Sequence, residues 1–401
     1  MAMFGTMKRS ISAVREYVSL TPAARAEVRS DRRGLPPVDP GIDRAIEAAV
    51  GWLIRAQDCS ASRDSGVARH FSLLTGWSES YPETTGYIIP TLFVYARTSG
   101  HDAFRQRAQR MLDWLVSIQL PDGGFQGGTI YARPPVSVTF NTGQILLGLA
   151  SGTRELGTPT YRSAMCRAAD WLVQTQDPDG CWRRRPSPFT APGEKAYEMH
   201  VAWGLMEAAR LEPDKAYGKA ALANVRWALQ FQQDNGWFDK CCLEDAARPL
   251  THTLGYALRG LVEAYRFAGD QALLVASLRT ADGLLSAMRN DGFLPGRLDR
   301  QWQGAAPWAC LTGTEQIAQC WFMLAEDTGQ AKFREAAFAA NRFVRRTIRC
   351  DGPPDTRGGV KGSFPVYGAY GKYQYLNWAC KFFIDANVSE KAVREGRALP
   401  E

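Results

Sequence analysis

Three of the chain's four histidines, His70, His200 and His252, stand near the starts of apolar segments that the sequence predicts to be helices. Histidine is the side chain most easily used as a base near neutral pH. Two carboxylates, Glu83 and Glu198, occupy similar positions, where they either stabilise a helix N-terminus or act as acid and base. These residues are the candidates for acid–base chemistry, and each has a structural alternative as a helix cap or a buried hydrogen-bond donor.

Amide and aromatic side chains share these positions, and aromatic faces stack on sugar rings. We expect Asn141, Gln144 and Lys361 to bind a carboxylate, and Tyr373 or Tyr375 to be the acid partner of His252 or His200. The remaining candidates for substrate binding are His70, Tyr81, Tyr87, Trp182, Tyr197, Trp203, Tyr256, Trp308, Gln316 and Asn377.

A metal site is a further alternative. Cys242, His252 and Cys310 fall in loops of adjacent repeats, and two thiolates with one imidazole would suit catalytic zinc. No CxxC or HExxH spacing supports such a site, and buried cysteine is common in apolar helices. We therefore expect an enzyme without a cofactor, with zinc as the alternative.

A sixfold repeat positions these residues. Glycines that end short polar dipeptides recur roughly every 57 residues, at Gly66, Gly123, Gly180, Gly236, Gly292 and Gly352. A Trp-Leu-x-x-x-Gln pattern precedes the early turns, as in Trp114–Gln119 and Trp171–Gln176, and a more apolar segment follows each turn. The period fits two helices and two loops, so the repeat predicts six helical hairpins.

The predicted fold is an all-α (α/α)6 toroid over residues 41–388. It is preceded by a basic extension (1–40), which we expect to be helical, and followed by a tail (389–401). The apolar second helices must be buried and form the inner ring. Their N-termini would meet at one mouth, where six positive dipole ends suit an anionic or polyhydroxylated ligand.

Composition narrows the function classes. The net charge of +7 is modest and no nucleic-acid motif appears, so nucleic-acid binding is not expected. Nine scattered cysteines and no secretory signal favour a cytoplasmic protein. Residues 3–20 have apolar side chains at nearly helical spacing, which predicts either a helix packed on the toroid or peripheral contact of residues 1–33 with the inner membrane.

Two resemblances follow from these motifs. The loops Gln119–Phe125 and Gln176–Trp182 resemble the QW-type repeats of squalene–hopene cyclases and protein prenyltransferases, although the Asp-x-Asp-Asp proton donor of class II cyclases is absent from this chain. Longer motifs resemble a bacterial family that accompanies exopolysaccharide assembly genes: Ser80–Pro90, Gln119–Gly128, Phe140–Gln144, Pro249–Thr253, Cys310–Gly313 and Lys361–Pro365. The same toroid occurs in uronyl 5-epimerases, polysaccharide lyases, glycosidases and N-acylglucosamine 2-epimerases.

The leading hypothesis is a carbohydrate epimerase or lyase of polysaccharide biosynthesis that abstracts a proton next to a uronate carboxylate of an oligosaccharide or lipid-linked glycan. The alternatives are a glycosidase that uses Glu83 and Glu198, a zinc enzyme acting on a peptide, thiol or prenyl substrate, and a scaffold without catalysis in a polysaccharide assembly complex.

Overall fold

The computed structural model describes residues 16–400, and its helices alternate between two concentric rings. A short helix, α1 (Pro22–Arg32), precedes the rings. The outer helices are α2 (Ile42–Asp58), α4 (Asp102–Ile118), α6 (Pro159–Thr175), α8 (Tyr217–Leu229), α10 (Gln271–Ala287) and α12 (Ala331–Arg345). The inner helices are α3 (Pro82–Ser99), α5 (Thr139–Leu156), α7 (Met199–Leu211), α9 (Thr251–Ala268), α11 (Leu311–Thr328) and α13 (Asn377–Arg394).

Each inner helix packs against the next, and α13 packs against both α3 and α2, so the ring is closed. Thr91 of α3 donates a hydrogen bond of 2.6 Å to Asp385 of α13 across this closure. The predicted (α/α)6 toroid is therefore confirmed. The predicted domain boundary at residue 388 falls inside α13, which ends at Arg394.

Short strands join the loops at the mouth where the inner helices begin. β1 (His70–Ser72) pairs with both β2 (Gly76–Trp77) and β5 (Gln374–Leu376), which links the first repeat to the sixth. β3 (Ala309–Cys310) pairs with β4 (Ser363–Phe364). All these pairings are antiparallel.

The repeated Trp-Leu-x-x-x-Gln pattern has a structural role. The Gln119 side-chain amide donates to the carbonyl of Gly123 in its own turn at 2.8 Å and to Ala164 of the next outer helix at 3.0 Å. Gln176 makes the equivalent bonds to Gly180 and Ala220. Each glutamine thus ties a turn to the following repeat, which explains why the residue recurs with the turn glycine.

Small residues allow the inner helices to approach closely. A Cβ on Gly86 would lie 2.5 Å from the Cα of Ile145 on the next inner helix, and one on Gly143 would lie 2.9 Å from the Cα of Val201. Both distances are too short for any side chain. The small residues of the inner ring therefore set the spacing of the helices that carry the candidate site.

Candidate active site

The start of α3 places a phenol and a carboxyl group side by side. The Tyr81 hydroxyl donates a 2.9 Å hydrogen bond to Glu83 Oε2, and both side chains are buried. Burial raises the pKa of Glu83 to about 7, although the Tyr81 hydrogen bond and the Arg69 guanidinium both favour the charged form. Glu83 therefore changes its charge near neutral pH, as an acid–base catalyst must.

A second buried carboxyl group precedes α7. Glu198 ends a 3₁₀ turn, Ala196–Glu198, and so lies just before the inner helix. Burial raises the pKa of Glu198 to about 8, with a smaller opposing effect from the nearby Lys195 ammonium. Its Oε2 atom has no hydrogen-bond partner within residues 16–400. Glu198 is thus the more strongly protonated of the two carboxyl groups at neutral pH.

The two histidines of the mouth are each held by a glutamine from a neighbouring inner helix. His200 Nδ1 lies 2.7 Å from Gln144 Oε1, and His252 Nδ1 lies 2.8 Å from Gln316 Oε1. An amide oxygen only accepts hydrogen bonds, so each Nδ1 carries the proton in this arrangement. Gln144 and Gln316, predicted to bind substrate, act here on the histidines.

Burial keeps both imidazoles neutral. It lowers the pKa of His252 to about 4 and that of His200 well below its usual range, with Arg259 and Lys381 adding to the effect at His200. A neutral imidazole is a free base, but one with so low a pKa is a weak proton acceptor at pH 7. The carboxyl groups are better matched to that task.

Tyr256 lies between the histidines. Its ring centroid is 4.4 Å from those of both His200 and His252. Phe140 and Tyr197 complete this group, with Phe140 5.1 Å from Tyr256 and 5.7 Å from Tyr197. Tyr197 and Tyr256 therefore reach the mouth as predicted, within an aromatic wall.

Several buried polar atoms in this region have no hydrogen-bond partner in the described part of the chain. They include both side-chain polar atoms of Asn141, Gln144 Nε2, His200 Nε2 and Gln316 Nε2. An unsatisfied buried polar atom costs roughly 1–3 kcal/mol, so such a cluster points to a polar ligand or to water. Asn141, which is fully buried, remains a predicted ligand contact.

Arg69 contributes a positive charge at this mouth and was not among the site residues predicted from the sequence. The Arg69 guanidinium lies 5.4 Å from the Trp378 ring centroid and 5.5 Å from those of Tyr81 and Phe189. Its Nε has no hydrogen-bond partner within the described residues. The only signal in the sequence was that Arg69 adjoins His70, a predicted site residue.

Lys361, predicted to bind a carboxylate of the substrate, binds two carboxylates of the protein. Its ammonium is buried, 2.9 Å from Glu27 and 2.6 Å from Asp31, both on α1. The substrate-binding prediction for Lys361 is therefore wrong, because α1 docks on the sixth loop and neutralises the lysine.

The two tyrosines predicted as acid partners lie beside carboxylates of the segment that precedes the toroid. The Tyr373 hydroxyl donates to Glu16 at 2.8 Å. Tyr375 is buried beside Glu27 and Asp31; burial and then these carboxylates raise the pKa of its phenol well above the usual range. The structure contradicts the pairing of either tyrosine with a histidine. Tyr370 is the loop tyrosine that approaches His252, with ring centroids 5.3 Å apart.

Three other predicted ligand contacts, Trp182, Asn377 and Trp308, have structural roles, whereas His70 stays a predicted contact. Trp182 donates to the carbonyl of Leu172 at 2.9 Å and is buried. Asn377 donates to the carbonyl of Ala68 and to Thr84, and so joins the first and sixth repeats. Trp308 packs against Gly296 and Gly368. His70 lies in β1, where burial lowers its pKa to about 4.

Cys242, His252 and Cys310 do not form a metal centre. Within residues 16–400, no group of three His, Cys, Asp or Glu side chains is arranged to hold a metal ion. Burial raises the pKa of Cys310 to about 12, which opposes formation of a thiolate. All nine cysteines are free.

The likeness to known sequences is partial. The squalene-hopene cyclase C-terminal domain family matches residues 80–259. A copalyl diphosphate synthase from Streptomyces cyslabdanicus is 27% identical over 150 residues, which are 36% of this chain. The chain spans only 23% of that relative's length.

Solved structures that resemble most of the chain include unsaturated glucuronyl hydrolases. One specific for heparin has a TM-score of 0.71 at 16% identity, covering 90% of this chain and 99% of its own. That of Bacillus sp. GL1, responsible for the degradation of glycosaminoglycan, has a TM-score of 0.69 at 15% identity, covering 89% and 97%. At such identities these matches establish the toroid fold.

Of the N-terminal extension predicted over residues 1–40, the structure describes residues 16–40. In α1, Ala24 and Val28 are buried against the toroid. Most of the predicted membrane-contacting helix, residues 3–15, lies outside the described residues. Across residues 16–400 we find no helix with the length and apolarity needed to span a bilayer.

Proposed function

We propose that this protein is a glycan-processing enzyme that hydrolyses a glycosidic bond at an anionic, uronate-type sugar. The observation that carries the proposal is the pair of buried carboxyl groups, Glu83 and Glu198, at one mouth of the toroid, with pKa values of about 7 and about 8. Glycoside hydrolysis by two carboxyl groups needs one that is protonated and one that is ionised at the working pH.

The environments of the carboxyl groups assign their roles. Glu198, with the higher pKa, is the general acid that protonates the leaving oxygen. Glu83 accepts a hydrogen bond from Tyr81 and is attracted by Arg69, which both favour its ionised form, so it is the base or nucleophile. The toroid fold shared with glucuronyl hydrolases is compatible with this assignment.

The substrate class follows from the charge of the mouth. The Arg69 guanidinium lies near three aromatic rings and close enough to Glu83 to favour its charged form. Guanidinium binds carboxylates with two parallel hydrogen bonds. The aromatic faces would stack on a sugar ring. We infer that Arg69, rather than Lys361, anchors the carboxylate of a uronate.

The test is product analysis on uronate-containing oligosaccharides, including unsaturated glucuronyl disaccharides. The native protein is expected to release the terminal sugar, whereas Glu83→Gln and Glu198→Gln are not. Glu315→Gln is the matched control, since Glu315 is a buried carboxyl on α11 whose charged neighbours are Arg345 and Glu390. Equal turnover in all four proteins would contradict the proposal.

A second candidate is proton abstraction next to the uronate carboxylate, as in an epimerase or lyase. His200 favours it, because its Nε2 is free of any hydrogen-bond partner among the described residues and it lies against Tyr256. Incubation in heavy water separates the two reactions. An epimerase incorporates deuterium into recovered substrate, a lyase gives a new unsaturated product, and a hydrolase gives neither.

The match to cyclase sequences defines a further control. Incubation with geranylgeranyl diphosphate is expected to return it unchanged, because the chain has no Asp-x-Asp-Asp motif. A cyclised product would overturn the assignment to glycans.

A further inference from the structure

A cavity of about 770 Å³ lies at the opposite mouth of the toroid, where the inner helices end. All six inner helices contribute to its wall, through residues that include Thr91, Ser151, Trp203, Arg259, Gln319 and Asp385. Its volume falls within the range of small-ligand sites, roughly 300–1,000 Å³. Trp203 links it to the candidate active site, since its ring lies 5.2 Å from that of His200.

The charges of this cavity cancel. Six basic side chains line it, and each pairs with an acidic side chain that also lines it. The pairs are Arg97–Glu155, Arg154–Glu207, Arg210–Glu207, Arg259–Glu263, Arg266–Asp327 and Lys381–Asp385. Because every cation is already neutralised by a neighbour, the cavity does not favour an anionic ligand.

Uncharged polar groups are the ones left without partners. Gln319 Oε1, Ser389 Oγ and Trp203 Nε1 all belong to cavity residues and are buried atoms that lack a hydrogen-bond partner within residues 16–400. Gln319 is 7% exposed and Ser389 is 1% exposed. An oxygen that accepts, an indole N–H that donates and a hydroxyl that does both match the hydroxyl groups of a neutral sugar.

The segment after α13 folds back over this cavity. Gly396, with a φ of +67°, reverses the chain, and residues 398–400 join the cavity wall. The Leu399 amide donates to Glu326 Oε1 at 2.9 Å, and its side chain is buried after five exposed residues. Leu399 therefore occupies a place at the cavity rim that a ligand would otherwise reach.

We propose that this cavity is a second binding site, for a neutral oligosaccharide of two or three units, and that Leu399 gates it. The site is distinct from the uronate site in position and in charge, and it does not depend on the reaction proposed there. A ligand must displace Leu399 or wait until the segment opens, so its apparent affinity is the intrinsic affinity multiplied by the fraction of molecules in which the segment is open.

The test is calorimetric titration of the whole protein with three neutral probes: maltotriose, cellotriose and triacetylchitotriose. Leu399→Asp places a carboxylate beside Glu326 and should release the segment, so at least one probe is expected to bind it about tenfold more tightly than the native protein. Arg397→Ala, on the exposed part of the same segment, should leave binding unchanged.

Variants of the wall identify the location. Ser389→Ala, which removes one hydroxyl and leaves packing intact, and Gln319→Leu are each expected to weaken binding several-fold in the Leu399→Asp background. Glu83→Gln is expected to leave it unchanged. Failure of all three probes to bind Leu399→Asp would overturn the proposal, as would binding that depends on Glu83 and not on Gln319 and Ser389. If hydrolysis fails but this binding is found, only the proposed function is refuted.

Discussion

His200 Nδ1 lies 2.7 Å from the side-chain oxygen of Gln144 on the preceding inner helix, and His252 Nδ1 lies 2.8 Å from that of Gln316 on the following inner helix. Both pairs fix the tautomer of a neutral imidazole and leave Nε2 as an acceptor. The two histidines are therefore neutral polar neighbours of Tyr256. The groups that gain or lose a proton near neutral pH are Glu83 and Glu198.

Replacement of Gln144 tests whether His200 orients the site or transfers a proton. Gln144→Leu should remove the acceptor of His200 Nδ1 and leave that buried N–H unpaired, at a cost of roughly 1–3 kcal/mol in the free energy of unfolding. Turnover should fall less than in Glu83→Gln, because the histidine orients the site and does not transfer the proton. Urea denaturation and turnover numbers measured side by side check this, and a larger loss of turnover than in Glu83→Gln would make His200 the catalytic base.

The pH profile of activity should be a narrow bell. Turnover rises as Glu83 ionises, with a pKa of about 7, and falls as Glu198 loses its proton, with a pKa of about 8. Rates measured across this range should therefore be highest between the two values. Activity that persists unchanged well above both values would show that neither carboxyl group acts as the acid.

Stability should depend on the same protonation. The pKa of Glu198 is about 8 in the folded protein and 4.5 in the reference state. Between these values the folded state binds more protons, so the free energy of unfolding falls as pH rises through this window and levels off above about pH 8. The slope from one such group is at most about 1.4 kcal/mol per pH unit. Glu198→Gln should flatten the curve measured by denaturant unfolding; an unchanged slope would place the charge elsewhere.

Arg69 should act on substrate affinity. Arg69→Ala is expected to raise KM about 10–100-fold for a uronate substrate, as befits the loss of a charge-assisted hydrogen bond. Arg69→Lys should recover part of the loss, because it restores the charge without the planar geometry. The measurement is the KM of each variant for a uronate substrate and for its carboxyl-reduced analogue. An equal loss for both substrates would show that Arg69 does not bind the carboxylate.

Lys361 should act on stability. Lys361→Met leaves Glu27 and Asp31 in a buried site without their lysine, which typically costs about 3–5 kcal/mol. The exposed pair of Lys372 with Glu16 is a matched control, and Lys372→Met should cost under about 1 kcal/mol. Thermal unfolding checks both variants. A loss of substrate affinity in Lys361→Met with unchanged stability would restore the original prediction.

The fold could be predicted because its signal is local and repeated. The turn glycine, the glutamine that binds it and the apolar inner helix recur in register, so each repeat confirms the others. The order of helices and loops along the chain was enough to predict that all the inner helices begin at the same mouth. Glu83, Glu198, His200 and Tyr256 could therefore be placed in one region without any distance.

The directions of loop side chains could not be predicted, because they depend on distant contacts. Lys361 and Tyr373 face carboxylates of residues 16–31, far away along the chain, and no local pattern records that contact. The sequence also could not show that the carboxyl groups are better suited to proton transfer than the histidines. Histidine is the usual base at neutral pH, but complete burial lowers the pKa of His252 to about 4 and raises that of Glu83 to about 7.

Cleavage of a glycosidic bond by Glu83 and Glu198 together can be tested by mass spectrometry. The products to compare are those that the native protein, Glu83→Gln and Glu198→Gln form from a uronate-terminated oligosaccharide in ¹⁸O-water. We expect one ¹⁸O atom in the sugar released by the native protein, and a loss of turnover of about a hundredfold or more in each variant. Release without ¹⁸O, or full turnover in either variant, would contradict this mechanism.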